Sequence, residues 1–111
     1  MLKILFMAGT RPEAIKLAPV VRRFRAFGND RVSAVLCSTG QHKEMLAQAF
    51  SDFDLVPDVD LALMQPGQTL AGLSARLFSA LDGLLEQQKP DWVVVQGDTT
   101  TVMVASLVAF Y

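Results

Sequence analysis

The sequence predicts an α/β fold built on a parallel, Rossmann-like sheet, and three observations carry that expectation. Apolar runs at residues 2–7, 32–37 and 91–95 are short and nearly continuous rather than alternating, as in strands covered on both faces. Between them lie segments with apolar residues at steps of three and four, the period of a helix with one buried face. The connections are short and rich in Gly, Ser and Thr. Strand and helix in alternation argue for parallel strands joined by right-handed crossovers, in the order 3-2-1-4.

Each element has its own local reason. Residues 2–7 form the first strand, and Ala8-Gly9 breaks it. Thr10-Arg11-Pro12-Glu13 then has the spacing of a capping box, with Thr10 as N-cap and Glu13 reaching back to it. Pro12 fits that first turn, because its missing N–H would have had no intrahelical partner. Ile15, Leu17, Ala18, Val21 and Phe24 make the buried stripe of this helix. Pro19 is expected to kink it, and Arg22, Arg23 and Arg25 to face away. After Gly28-Asn29-Asp30 comes the second strand at 32–37, and Ser38-Thr39-Gly40 turns the chain into a short helix over 41–50. Met45, Leu46 and Ala49 should point inward there. Residues 51–60 read as an acidic loop, and 61–63 as at most a short third strand. A long helix from 69 to 88 follows, on a stripe of Leu70, Leu73, Leu77, Leu81 and Leu84. Pro90 ends it and opens the fourth strand. Gln96-Gly97-Asp98-Thr99-Thr100-Thr101 then leads into an apolar helix, 102–111, expected to be buried on all sides.

Composition bounds the rest. At 111 residues, 51% hydrophobic and 19% charged, the chain fits one globular domain. A net charge of −1 offers no global basic field for nucleic acid. The basic residues nonetheless gather in the first third of the chain, and Asp52, Asp54, Asp58 and Asp60 in the middle. Cys37 is the single cysteine and His42 the single histidine, so neither a disulfide framework nor a histidine-based metal site is expected. The N-terminal apolar run reads as a strand rather than a signal peptide. The longest apolar run is too short for a bilayer, which needs about 20 residues. A cytoplasmic protein is expected.

In a doubly wound sheet the turns that leave the strands collect at the carboxyl edge. Arg11 and Asp98 should therefore flank one crevice, where winding reverses between the first and fourth strands. The rim offers a guanidinium (Arg11), an ammonium (Lys16), a carboxylate (Asp98), hydroxyls and helix N-termini, a set suited to a diphosphate and its sugar. The plainer readings are an Arg11–Asp98 ion pair and a helix-capping role for Asp98. Neither G-x-G-x-x-G nor G-x-x-x-x-G-K-[ST] occurs, which counts against a dinucleotide dehydrogenase and a P-loop enzyme.

Four motifs carry a resemblance: Phe6-Met7-Ala8-Gly9-Thr10-Arg11-Pro12-Glu13-Ala14-Ile15-Lys16, Thr39-Gly40-Gln41-His42, Met64-Gln65-Pro66-Gly67-Gln68-Thr69-Leu70 and Gly97-Asp98-Thr99-Thr100-Thr101. In order and spacing they resemble the N-terminal part of the non-hydrolysing UDP-N-acetylglucosamine 2-epimerases. That resemblance implies a two-domain glycosyltransferase-B-type fold, with residues 1–111 forming part of the N-terminal Rossmann-like domain. The rest of the enzyme would lie outside this chain, which alone should not turn over. It further implies interconversion of UDP-N-acetylglucosamine and UDP-N-acetylmannosamine by elimination and re-addition of UDP, with no metal or nicotinamide cofactor. The implied ligands are UDP-N-acetylglucosamine and UDP, not nucleic acid or membrane, and the implied parent is a homodimer. By the same resemblance Lys16 and Asp98 are catalytic, and Arg11, with Gly9 and Thr10, binds substrate. Gln41, His42 and Gln68 fall at a second, regulatory nucleotide-sugar site. Gly67 departs from members that carry Arg immediately before the residue matching Gln68. A hydrolysing epimerase, a glycosyltransferase of the same fold and a non-catalytic nucleotide-sugar-binding module are the competing readings.

Overall fold

The computed structural model describes residues 1–28, 30–40, 43–63 and 65–111. Its elements are β1 (Leu2–Ala8), α1 (Arg11–Arg25), β2 (Val32–Ser38), α2 (Lys43–Ser51), β3 (Val59–Asp60), α3 (Leu70–Gln88), β4 (Trp92–Val94) and α4 (Thr100–Phe110). Among the described residues the strands form one sheet in the order β3-β2-β1-β4, and every neighbouring pair is parallel. β1 pairs along its whole length with β2, from Leu2 opposite Val32 to Ala8 opposite Ser38, and with β4 through Ile4, Leu5 and Phe6.

The alternation of side chains along β1 divides the interior in two. Ile4, Phe6 and Ala8 point to one face, where they meet Ala14, Leu17, Ala18 and Val21 of α1 and Leu46, Ala49 and Phe50 of α2. Leu5 and Met7 point to the other, against Leu73, Leu77, Leu81 and Leu84 of α3 and Val104, Ala105 and Val108 of α4. Both faces being covered explains the unbroken apolar run that marks this strand in the sequence. Cys37 belongs to the second core. Burial first, and then the charge of Asp60, push its thiol up to about 12, which makes it a packing residue rather than a nucleophile.

Several local expectations are corrected. Ile15 and Met45 are exposed, and so is Leu70 in the first turn of α3, so each helix buries a narrower stripe than its apolar residues suggested. α1 runs unbroken from Arg11 to Arg25, with Pro19 on its exposed side. Arg25 does not face away. Its guanidinium donates to Asp58 Oδ2 at 2.6 Å and reaches the carbonyl of Ala34, while the same Oδ2 accepts from Leu36 N at 2.8 Å. The third strand lies at Val59–Asp60, inside the stretch expected to be loop. It cannot continue through the expected residues because Ala62 turns into the left-handed region at φ 50°. Leu61 and Leu63 pack on the second core from that turn. α4 buries Thr101, Val104, Ala105 and Val108 only, and Met103, Leu107 and Phe110 stand exposed. Among the described residues no element packs against that side.

The turn after β2 is locked to the turn after β3. Leu61 N and Leu63 N donate to the carbonyls of Ser38 and Thr39, and Gly40 sits against Ala62 at φ 77°. A Cβ on Gly40 would lie 2.8 Å from Ala62 Cα, a backbone atom that cannot step aside. Gly67 has a similar φ of 68° but open space around it. Gly40→Ala should therefore combine left-handed strain with a clash and cost roughly 2–4 kcal/mol, against about 1–2 kcal/mol for Gly67→Ala, which carries the strain alone. Denaturant melts of the two variants measure the difference, and equal losses would show that Gly40 is not held against Ala62.

Candidate functional site

The parallel crossovers bring the turns after β1, β2 and β4 to one rim, as expected. The clearest tie is made by Glu13, which is only 2% exposed although charged. It is the third residue of α1, so its side chain points back over the turn that starts the helix. Its Oε1 accepts from Gly9 N at 2.8 Å, and its Oε2 accepts from Thr10 Oγ1 at 2.8 Å and from Thr99 Oγ1 at 2.6 Å. Gly97 packs over the same side chain, since a Cβ there would lie 3.9 Å from Glu13 Cγ. One carboxylate thus joins the first turn of the chain to the last. A second contact of this kind is buried beside it, where Thr39 Oγ1 lies 3.4 Å from Thr101 Oγ1.

This geometry changes the capping box. Thr10 is the N-cap of α1, but its hydroxyl donates to Glu13 instead of accepting from a helix N–H, and the returning carboxylate reaches Gly9 N one residue earlier. At α4 the N-cap is Thr99, not Asp98, and its hydroxyl likewise goes to Glu13. The capping reading of Asp98 is therefore set aside. Asp98 lies exposed in the turn between Gly97 and Thr99. The ion-pair reading fails as well, since the ion pair found among the described residues is Arg25–Asp58.

Arg11 is the first residue of α1 and exposed. With Glu44, Met45 and Gln48 of α2 it lines a cleft of about 270 Å³. Lys16 is also exposed, five positions on in the same helix. At 3.6 residues per turn the two side chains leave the axis about 140° apart, so α1 alone does not aim both at one point. Gly9 and Thr10 turn their polar groups toward Glu13. Of the residues assigned to a regulatory site, Gln41 and His42 lie outside the described residues. Gln68 lines a groove of about 420 Å³ with Gln65, Pro66, Gly67, Thr69, Leu70 and Leu73. Its side-chain oxygen is buried without a partner among the described residues. Sequence reasoning missed Thr99 and the long-range half of Glu13's role. The T-x-x-E spacing pointed to Glu13, but only as a local cap.

A doubly wound sheet whose glycine- and hydroxyl-rich turns meet beside exposed cations and a carboxylate defines an α/β protein with a candidate rim at the topological switch point. Within that class the particular family is shown by comparison. Residues 25–111 match the family model described as UDP-N-acetylglucosamine 2-epimerase, and the chain belongs to this family. It is 49% identical over 111 residues to UDP-N-acetylglucosamine 2-epimerase of Escherichia coli K12, a match covering 99% of this chain and 29% of that protein. The corresponding protein of Salmonella typhimurium is 47% identical over 110 residues, again 99% of this chain and 29% of the relative. The crystal structure of the Neisseria meningitidis UDP-GlcNAc 2-epimerase bound to UDP-GlcNAc is similar with a TM-score of 0.92 and 45% identity, over 99% of this chain and 29% of that one. The Methanocaldococcus jannaschii enzyme in complex with UDP-GlcNAc and UDP gives a TM-score of 0.85 at 32% identity, over 97% and 29%. The chain spans less than a third of the length of these relatives.

Removing the Glu13 carboxylate orphans the donors it collects. Leaving a buried donor without an acceptor costs about 1–3 kcal/mol, and the two hydroxyls can partly re-aim, so Glu13→Ala should destabilise the protein by roughly 2–4 kcal/mol. Urea unfolding measures this directly. A loss below about 0.5 kcal/mol, the scale of an ordinary surface substitution, would contradict the buried network.

Proposed function

We propose that this chain is the N-terminal, nucleotide-sugar-binding part of a UDP-N-acetylglucosamine 2-epimerase that interconverts UDP-N-acetylglucosamine and UDP-N-acetylmannosamine. Family membership across this fold is the observation that carries the reading. The chemistry is redox-neutral. A base removes the C2 proton, and the C1–O bond breaks with its electron pair leaving on UDP. The resulting 2-acetamidoglucal takes UDP back at C1 and a proton on the opposite face of C2. Neither a metal nor a nicotinamide is needed in this scheme.

In this reading Arg11 holds the diphosphate, and the turn at Gly9 and Thr10 completes the substrate-binding segment by setting where Arg11 stands. A guanidinium there stabilises the charge that builds on the leaving group. Asp98 and Lys16 serve as catalytic residues, the carboxylate as proton carrier or as the group that orients one. Exposure of Arg11, Lys16 and Asp98 leaves their charged ends open to a ligand and to the cleft against a second domain. Gln68, with Gln41 and His42, would line a second nucleotide-sugar site. Among the described residues no helix is long and apolar enough to cross a membrane. The same proposal takes the working enzyme to be a cytoplasmic homodimer, with the present piece inactive by itself.

Two measurements on a protein spanning the full length of its relatives test the assignments. Arg11→Ala should weaken UDP binding by about 1.5–3 kcal/mol, the scale of a hydrogen bond to a charged group, and uridine binding much less. Calorimetry giving equal losses for both ligands would take Arg11 off the diphosphate. Because Thr99 rather than Asp98 holds the N-cap position of α4, Asp98→Asn should leave the melting temperature unchanged. Its kcat should fall by roughly 10²–10⁴-fold, the usual contribution of a positioned acid or base, with substrate affinity affected less. Solvent deuterium washing into C2 at the wild-type rate in that variant would remove Asp98 from the chemistry.

A further inference from the structure

We propose that Glu13 is a positioning residue for the reaction, the buried anchor that sets the Arg11 turn and the Asp98 turn in fixed relation across the crevice. The inference rests on the epimerase reading above and extends it to groups that touch no ligand. Thr10, which Glu13 holds, immediately precedes Arg11, and Thr99, which it also holds, immediately follows Asp98. Glu13 and Thr99 are 86 residues apart in the chain, and the bond between them ties the two turns directly. The pairing of β1 with β4 ends at Phe6 and Val94, short of both turns, so the sheet ladder does not by itself fix how they meet.

The chemistry of the anchor suits this task. The N-termini of α1 and α4 both open onto this point, and each brings the positive end of its helix dipole. In doubly wound folds with a glycine-rich first turn a ligand phosphate uses that potential. Here the protein's own carboxylate occupies it. A ligand diphosphate is thereby left to the exposed guanidinium of Arg11, outside the buried network. Short, charge-assisted bonds to Gly9, Thr10 and Thr99 make the link stiff as well as favourable.

Steady-state kinetics and thermal melting of the full-length protein test the role. Glu13→Gln keeps the size of the side chain and an acceptor for Gly9 N, but faces the two threonine hydroxyls with an amide instead of a carboxylate. Thr99→Val removes only the contact from the β4 side, and Thr99→Ser keeps it. The expected result is a fall in kcat on the order of 10- to 100-fold for Glu13→Gln and Thr99→Val, the scale of an ångström-sized misplacement of reacting groups. KM should change much less, and Thr99→Ser should recover most of the loss. The double variant Glu13→Gln/Thr99→Val should lose little more than the worse single one, because both break one contact. If Glu13→Gln does not fold, the Thr99 pair carries the test. A folded Thr99→Val enzyme with wild-type kcat, or losses in the double variant that add in full, would reduce Glu13 to a structural residue. A wild-type protein that binds UDP-N-acetylglucosamine without epimerising it would defeat the epimerase reading, and the positioning role with it.

Discussion

Burial of β1 on both faces is the constraint from which the rest of the structure follows. Leu5, Phe6, Met7 and Ala8 are all 1% exposed or less, and their alternation commits the chain to a helical layer on each side of the sheet. Two layers over a parallel sheet require crossovers of both windings, with α1 and α2 over one face and α3 and α4 over the other. The winding changes between β1 and β4, and the turns that leave the two strands must then face each other. The site is in this sense a consequence of how the central strand is covered.

What fills that switch point distinguishes this fold from its dinucleotide-binding cousins. Glycines in those proteins clear space for a pyrophosphate against the helix end. Here Thr10 and Glu13 close the first turn from within, and where the G-x-G-x-x-G string is absent a carboxylate takes the hydrogen bonds of Gly9 N and the Thr10 hydroxyl. Burying such a charge is costly unless its lone pairs are met, and three donors meet them. Arg11, Lys16 and Asp98 stay exposed on the rim, outside this network.

Departures from regular patterning share one cause. Where the chain packs against a neighbour it could not anticipate, local preference yields. Ala62 adopts a left-handed conformation and Gly40 closes against it, so the leucines on either side of Ala62 reach the core from a turn. Arg25 turns toward the sheet because Asp58, brought near by β3, offers a carboxylate already engaged with the β2 backbone. Met45 and Leu70 sit at helix starts, where the stripe has not yet met the sheet and period alone overstates burial.

The sequence by itself determined the alternation of strands and helices, the parallel sheet and its order, the rim on which the candidate residues lie, and the family. All of these rest on short-range signals: apolar periodicity, glycine turns, capping spacings and contiguous motifs such as Gly9-Thr10-Arg11-Pro12-Glu13. Tertiary structure alone decided which residue holds the N-cap position of α4, that Asp98 and Arg11 form no ion pair, and that Glu13 serves two turns at once. The reason is physical. A capping box is written in adjacent residues, whereas Thr99 reaches Glu13 only after β4 has docked beside β1, and no local pattern encodes a partner 86 residues away.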